Sequence, residues 1–311
     1  MVDWYIWVGF VGFIAVVLAL DLGVFHRRAH EVPFREALAW TGAWLLLAMA
    51  FAVVMWVWQG ATTSGEFLAG YLIEWSLSLD NVFVWILIFT HFSVPARYQH
   101  RVLFWGVVGA VILRLGFILG GAALLHRFHW VIYVFGGLLL MTAVRFLREK
   151  DKEPSLEESV ILRFVRRVLP MTDDYEGQRL ALRSHGRFVA TPLLAVLIMV
   201  EATDVVFAVD SIPAIFAVTE DAFVVFTSNA LAILGLRSLY FVLAGAVGRF
   251  RYLKPALAAL LAFVAVKMLI SSWIRIPTPL SLAAIVAILG TGALASWLRG
   301  ERPAKKGQNT T

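Results

Sequence analysis

The sequence predicts an all-α, polytopic membrane protein with about nine transmembrane helices, and three observations carry that prediction. Of its 311 residues 60% are hydrophobic and only 15% charged, with a mean hydropathy of +0.81, beyond the apolar share of a soluble domain. Windows of roughly 20 mostly apolar residues, the length a helix needs to cross a bilayer, recur along the whole chain. Short polar joints separate them and leave no soluble domain of useful size, so residues 1–311 read as a single transmembrane domain.

The first span runs from Trp4 to Phe25. The preceding residues carry an acid and no base, unlike the positive leader of a cleaved signal peptide, so this span is expected to stay in the mature protein. The second apolar run is Leu38 to Trp58, and the third, Phe67 to Phe92, contains acids within an otherwise apolar stretch. Val102 to Leu125 and Trp130 to Leu147 follow, separated by a short basic joint. After a long polar connector come Thr191 to Val218, again with acids inside, then Phe223 to Val247, Pro255 to Trp273 and Pro279 to Leu298. Trp4, Tyr5, Trp56, Trp58, Trp130, Trp273 and Trp297 lie near span ends, as interfacial aromatic belts do.

Charge sets the orientation. With nine spans, 22 of the 27 Lys and Arg residues fall on one side of the membrane, against Arg127 and Arg275 on the other. The positive-inside rule then puts the N-terminus outside and the C-terminus in the cytoplasm. The net charge of +6 does not indicate a nucleic-acid partner, because the bases are dispersed among the joints. Cysteine is absent, which removes disulfides, thiolate metal sites and thiol redox chemistry.

The connector, about residues 148–190, is the one sizeable extramembrane segment. In it Ser155 and Glu158 form a capping-box pattern, and Leu156, Val160, Ile161, Phe164, Val165 and Val168 share a helical face interleaved with Arg163, Arg166 and Arg167. The pattern fits a basic helix on the inner leaflet and equally a plain cytosolic linker helix.

An internal duplication is the most informative feature. Glu74, Asp80 and Asn81 in EWSLSLDN correspond to Asp204, Asp210 and Ser211 in DVVFAVDS. The segment Gly106 to Arg114 (GVVGAVILR) corresponds to Asn229 to Arg237 (NALAILGLR), and Arg145 near the end of span five corresponds to Lys267 in span eight. Three helices repeated by the next three must cross in opposite senses, so residues of about 67–147 and 191–273 form an inverted repeat. Transporters built this way bind substrate near the midplane where the halves meet.

Asp21, Glu74, Asp80, Glu201, Asp204 and Asp210 all fall inside spans, with Arg114, Arg237 and Lys267 as the bases. A charge at a helix centre costs about 2.5–3.5 kcal/mol on insertion scales, so each needs a partner or a role. Acids exceed bases, and protons or a cation can relieve the excess. Carboxylate, amide and hydroxyl oxygens of the Asp residues, Asn81, Ser78 and Ser211 suit Mg²⁺, Ca²⁺ or Mn²⁺, whereas Cu(I) and Zn²⁺ sites recruit Cys, Met or His.

The six-residue step from Asp204 to Asp210 turns a regular helix through about 600°, leaving the two about 120° apart. They converge on one ion only if the helix unwinds, or else they serve different sites. Pro213 leaves the Val209 carbonyl without its helical donor, which fits either a broken-helix ligand or a packing kink. Each acid also fits a structural ion pair, and Asp21, near the inner end of its span, fits a cap or a salt bridge to the basic joint. Arg114, Arg237 and Lys267 read as counter-ions or gating groups. The histidines, at span ends or in joints, read mostly as solvated.

At these residues the sequence resembles the TerC family of bacterial membrane proteins, which includes the alkali-inducible Alx proteins. The resemblance covers nearly the whole chain and rests on DLGVFHRRAHEVPFREALAW at Asp21 to Trp40, GYLIEWSLSLDNVFV at Gly70 to Val84, and Thr191 to Phe241. It implies a multi-pass protein of the bacterial inner membrane that exports Mn²⁺ from the cytoplasm. Glu74, Asp80, Glu201, Asp204 and Asp210 match the carboxylates expected to carry the ion, and Asn81 adjoins them. No permanent cofactor is implied, and Ca²⁺ is the alternative cargo. Exchange against protons is the expected coupling, because buried carboxylates are neutralised by either ion.

Two other classes compete. An intramembrane aspartyl protease would carry a Gly-x-Gly-Asp motif, which is missing, so no enzyme is expected. A membrane-protein assembly or structural factor would use the acids to tie helices together, and any tellurite resistance would be indirect, since tellurite is an anion.

Overall fold

The computed structural model describes residues 2–20, 32–128, 130–148, 172, 175, 177–184, 187–244, 253–270, 273–274 and 276–298. Among them the chain forms nine helices and one hairpin. The helices are α1 (Trp4–Leu20), α2 (Phe34–Gln59), α3 (Ala61–His91), α4 (Ala96–Arg127) and α5 (Val131–Arg148), then α6 (Pro192–Phe216), α7 (Ala222–Ala244), α8 (Leu253–Leu269) and α9 (Thr278–Leu298). Lipid offers no hydrogen-bond partners, so a chain this apolar satisfies its backbone inside helices. By length and composition α2, α3, α4, α6, α7 and α9 can each cross a membrane, while α1, α5 and α8 present shorter apolar stretches among the described residues. The protein is a multi-pass, helical membrane protein.

Each expected span overlaps one of these helices, and the boundaries shift where polar residues continue a helix. Helix α3 begins at Ala61 rather than Phe67, which brings Glu66 into its second turn. The joint before it shrinks to Gly60, whose φ of 92° suits glycine and whose N–H caps α2 by donating to the Trp56 carbonyl at 3.0 Å. Helix α4 begins at Ala96, a turn and a half before Val102. Helix α6 does not unwind: it is α-helical from Pro192 through Asp204, Asp210 and Pro213 to Phe216. The broken-helix alternative therefore does not hold for this stretch of backbone.

The connector also departs from expectation. Its expected helix at Ser155 to Val168 lies outside the described residues, and a two-stranded antiparallel hairpin follows, β1 (Ala181–Ser184) with β2 (Arg187–Ala190), pairing Ala181 with Ala190 and Ser184 with Arg187. Four-residue strands leave almost no periodic signal in a sequence. The Thr191 hydroxyl donates to the Arg179 carbonyl at 2.7 Å and ties the hairpin to the start of α6. The connector also reaches back to the α3–α4 junction, where the Tyr175 hydroxyl donates to the Phe92 carbonyl at 2.7 Å and Arg101 donates to Gln178 at 3.3 Å. Burial pushes the Tyr175 phenol up, so it remains a donor.

Helix α7 is the axis of the bundle. It packs on α2, α3 and α4, and every residue from Phe223 to Tyr240 is buried. A helix that meets no lipid can carry Thr227, Ser228, Asn229, Arg237 and Ser238 at membrane depth. Around it α3 also packs on α2, α6 and α9, α4 on α6, and α5 on α8. Helix α1 docks through rings, with Trp7 stacked on Phe226 at 5.7 Å and edge-on to Phe223 at 5.3 Å. Trp4, Trp56 and Trp130 are exposed, as interfacial residues are, whereas buried His100 departs from the solvated reading of the histidines.

Close approach substitutes for the hydrophobic effect between helices in lipid. At Gly70 an added Cβ would lie 2.7 Å from the Ser228 hydroxyl oxygen, 3.1 Å from Ile215 Cγ2 and 3.2 Å from Ser228 Cβ. The hydroxyl could rotate away only by losing its bond to the Val225 carbonyl, and the two carbons would each have to give by a few tenths of an ångström. Gly70→Ala is therefore expected to destabilise the purified protein by about 1–3 kcal/mol in a chemical denaturation series. Gly42→Ala, where nothing lies within 4 Å of the added carbon, should be neutral or slightly stabilising.

Candidate functional site

One turn beyond Gly70, α3 presents Glu74, and the residues four and seven further on, Ser78 and Asn81, share its face. Helix α6 repeats the arrangement with Asp204 and Ser211. Helix α4 contributes Arg114 and α7 contributes Asn229. Glu74 is 0%, Arg114 1% and Asp204 3% exposed, so these charges are removed from both lipid and water.

Arg114 organises the cluster. Its Nη2 and Nε donate to the two carboxylate oxygens of Asp204 at 2.8 and 3.3 Å, a bidentate fork. Its Nη1 pairs with Glu74 Oε1 and donates to the Ser211 hydroxyl at 3.2 Å. Asn229 Nδ2 donates to Glu74 Oε2 at 2.9 Å, Ser78 donates to Glu74 Oε1 at 3.3 Å, and Asn81 Nδ2 approaches Asp204 Oδ1 at 3.5 Å. One guanidinium thus joins two carboxylates that correspond in the internal duplication.

The two amides are informative. Carboxylates only accept, so each Asn must turn its NH₂ toward the acid, which fixes the amide orientation and leaves Oδ1 facing elsewhere. Asn81 and Asn229 are 2% and 1% exposed, and neither Oδ1 has a hydrogen-bond partner. Two buried acceptors without donors, beside two carboxylates, make a region rich in hard oxygen ligands.

The remaining expected site residues lie elsewhere or beyond description. Asp21 lies outside the described residues. Asp80 and Asp210 sit on the helical backbones of α3 and α6, but their side chains are outside the described residues. Glu201 lies a turn before Asp204, and its carboxylate presses on the α4 backbone at Gly109, where any Cβ would overlap it. Its Oε2 has no hydrogen-bond partner. Arg237 is buried beside a small cavity lined by Leu18, Trp44, Phe104, Val107 and Leu234. Lys267, on α8, lies within electrostatic reach of Glu66, an acid that the sequence reading left outside the membrane. Among the described residues no group of three or more His, Asp or Glu side chains is placed to hold a metal ion. The residue missed by sequence reasoning is Asn229, whose signal was a buried amide in an apolar span.

The model of the integral membrane protein TerC family matches residues 59–304, which include every described member of this cluster. The chain belongs to the TerC family. An uncharacterized membrane protein of Myxococcus xanthus is 50% identical over 294 residues, covering 94% of this chain and 92% of that protein. Alx of Salmonella typhi is 45% identical over 311 residues, covering 96% of each chain, and Alx of Escherichia coli K12 is 44% identical over 313 residues, covering 97% of each. The name given to Alx describes a proposed membrane-bound redox modulator. No solved structure matches the chain.

Because Asp204 shares a bidentate fork and Glu201 Oε2 has no donor, the two acids should differ in structural weight. Asp204→Asn is expected to cost about 3–5 kcal/mol of stability, as removal of one partner from a buried ion pair does. Glu201→Gln should stay within about 1 kcal/mol of the parent in the same denaturation series.

Proposed function

We propose that this TerC-family protein is a secondary transporter that exports a divalent metal cation, Mn²⁺ with Ca²⁺ as the alternative, from the cytoplasm of a bacterium. The observation that carries the reading is the buried oxygen cluster: two carboxylates and two donorless amide oxygens from three helices, in a protein otherwise suited to lipid. Such a donor set favours hard cations and disfavours anions. Asp80 and Asp210, on the same two helices but about 120° away from Glu74 and Asp204, serve a neighbouring position on the path of the ion, and Glu201 serves as a ligand or proton acceptor.

The helix pairing supports the inverted repeat. If α3, α4 and α5 correspond to α6, α7 and α8, a two-fold axis in the membrane plane maps the α3–α7 contact onto α6–α4 and each of α3–α6, α4–α7 and α5–α8 onto itself, and all five contacts exist. The halves, about 67–147 and 191–273, then move against one another within one transmembrane domain of nine spans, N-terminus outside and C-terminus in the cytoplasm of the inner membrane. Thiol redox chemistry gains no support from the chain, which has no cysteine. An assembly role is the competing reading, favoured by the pairing of both Glu74 and Asp204 with Arg114.

Mn²⁺ flux into proteoliposomes separates the two. Wild-type protein should transport Mn²⁺, with Ca²⁺, Mg²⁺ and Zn²⁺ ranked as competitors, and Asp80→Asn or Asp210→Asn should abolish flux while the protein stays folded. Absence of flux for every divalent ion under any gradient would transfer the weight to the assembly role. Coupling is tested separately: an imposed pH gradient should drive uphill Mn²⁺ movement, and flux that ignores the gradient would remove proton exchange from the mechanism.

A further inference from the structure

We propose that Arg114 is a tethered cation that occupies the seat of the divalent ion between Glu74 and Asp204 when no ion is bound, and that cargo and guanidinium exclude one another. The inference rests on the reading of this cluster as a transport site.

Glu74 and Asp204 both bond to one guanidinium, so without it two carboxylates would face each other at membrane depth. A seat of that kind needs positive charge at every stage of a cycle, or protons in its place. A divalent ion coordinates carboxylate oxygens at about 2.0–2.6 Å. Arg114 Nη2 already stands 2.8 Å from Asp204 Oδ1, Nε stands 3.3 Å from Oδ2, and Nη1 is paired with Glu74. An ion on those oxygens would abut a guanidinium of like charge, so the side chain must leave as the ion arrives. Arg114 and Glu74 belong to one three-helix unit and Asp204 to the other, so the fork links the units when the seat is filled from within. Displacing it exchanges a fixed charge on α4 for a mobile one and changes what holds α3 and α4 to α6.

A seat occupied by an internal competitor binds its ligand more weakly by the fraction of time it is vacant. Arg114→Gln should therefore bind Mn²⁺ about tenfold or more tightly. It should lose net uptake into metal-free proteoliposomes, because nothing neutralises the empty seat for the return step, yet keep exchange of external for internal Mn²⁺. Mn²⁺ should raise the melting temperature of Arg114→Gln more than that of the wild type, because the ion supplies the missing charge. Arg114→Lys, which keeps a tethered charge without the planar fork, should retain net uptake.

Three results would overturn the proposal: weaker Mn²⁺ binding by folded Arg114→Gln, equal loss of exchange and net uptake, or equal impairment of both variants. Failure of both variants to fold even with Mn²⁺ present would make the fork a structural tie and overturn it as well. Absence of transport by the wild type would instead remove the reading on which it rests, so the two failures are distinguishable.

Discussion

The ion pair between Arg114 and the carboxylates of Glu74 and Asp204 is the constraint on which the rest of the structure depends. Charges at membrane depth are tolerated only when protein surrounds and satisfies them. That requirement explains why α7 is enclosed on every side and why α3 comes so close to it at Gly70. Asn229 reaches Glu74 one turn beyond a helix approach close enough to crowd an added methyl group. Polar chemistry in one layer thereby dictates backbone spacing in the next.

Much of the fold was legible because hydropathy is a strong signal in a chain of this composition. The nine apolar runs each found a helix, and errors lay at boundaries such as Ala61 and Ala96, where polar residues such as Glu66 and Arg101 continue a helix beyond its apolar stretch. The hairpin at Ala181–Ala190 was not legible, since a four-residue strand is too short to establish alternation. The acids of the site were legible as expensive residues in apolar spans. Their partner was legible only in type: Arg114 and Arg237 look alike in sequence, and the structure gives the carboxylate fork to Arg114 and sets Arg237 beside a cavity between α1, α2, α4 and α7.

Two spacings run through the acidic motifs. The six-residue step between the two acids of each motif separates them by about 120° on a regular helix. The seven-residue step, Glu74 to Asn81 and Asp204 to Ser211, returns to within about 20° and places an acid and a neutral polar residue on one stripe. Those are the residues that meet Arg114, each other, or both. Because α6 remains helical from Asp204 to Asp210, the two positions lie about 120° apart around one helix.

This geometry bears on how one cluster could be both a structural tie and a binding site. A fork held only for stability could be replaced by apolar residues of similar volume at little cost, since the desolvation of a buried ion pair offsets much of its attraction. Here the surrounding groups are not arranged to make the pair self-sufficient. Arg114 reaches Glu74 only through Oε1, so Asn229 supplies the donor to Oε2, while Asn81 adds a second donor to Asp204 Oδ1, and both amides leave their own oxygens without partners. Buried acceptors left without donors beside the acids are costly in a static core. The same arrangement is apt for a site whose positive charge changes hands: when the guanidinium leaves, the amide N–H groups keep the carboxylates oriented for the cation that replaces it.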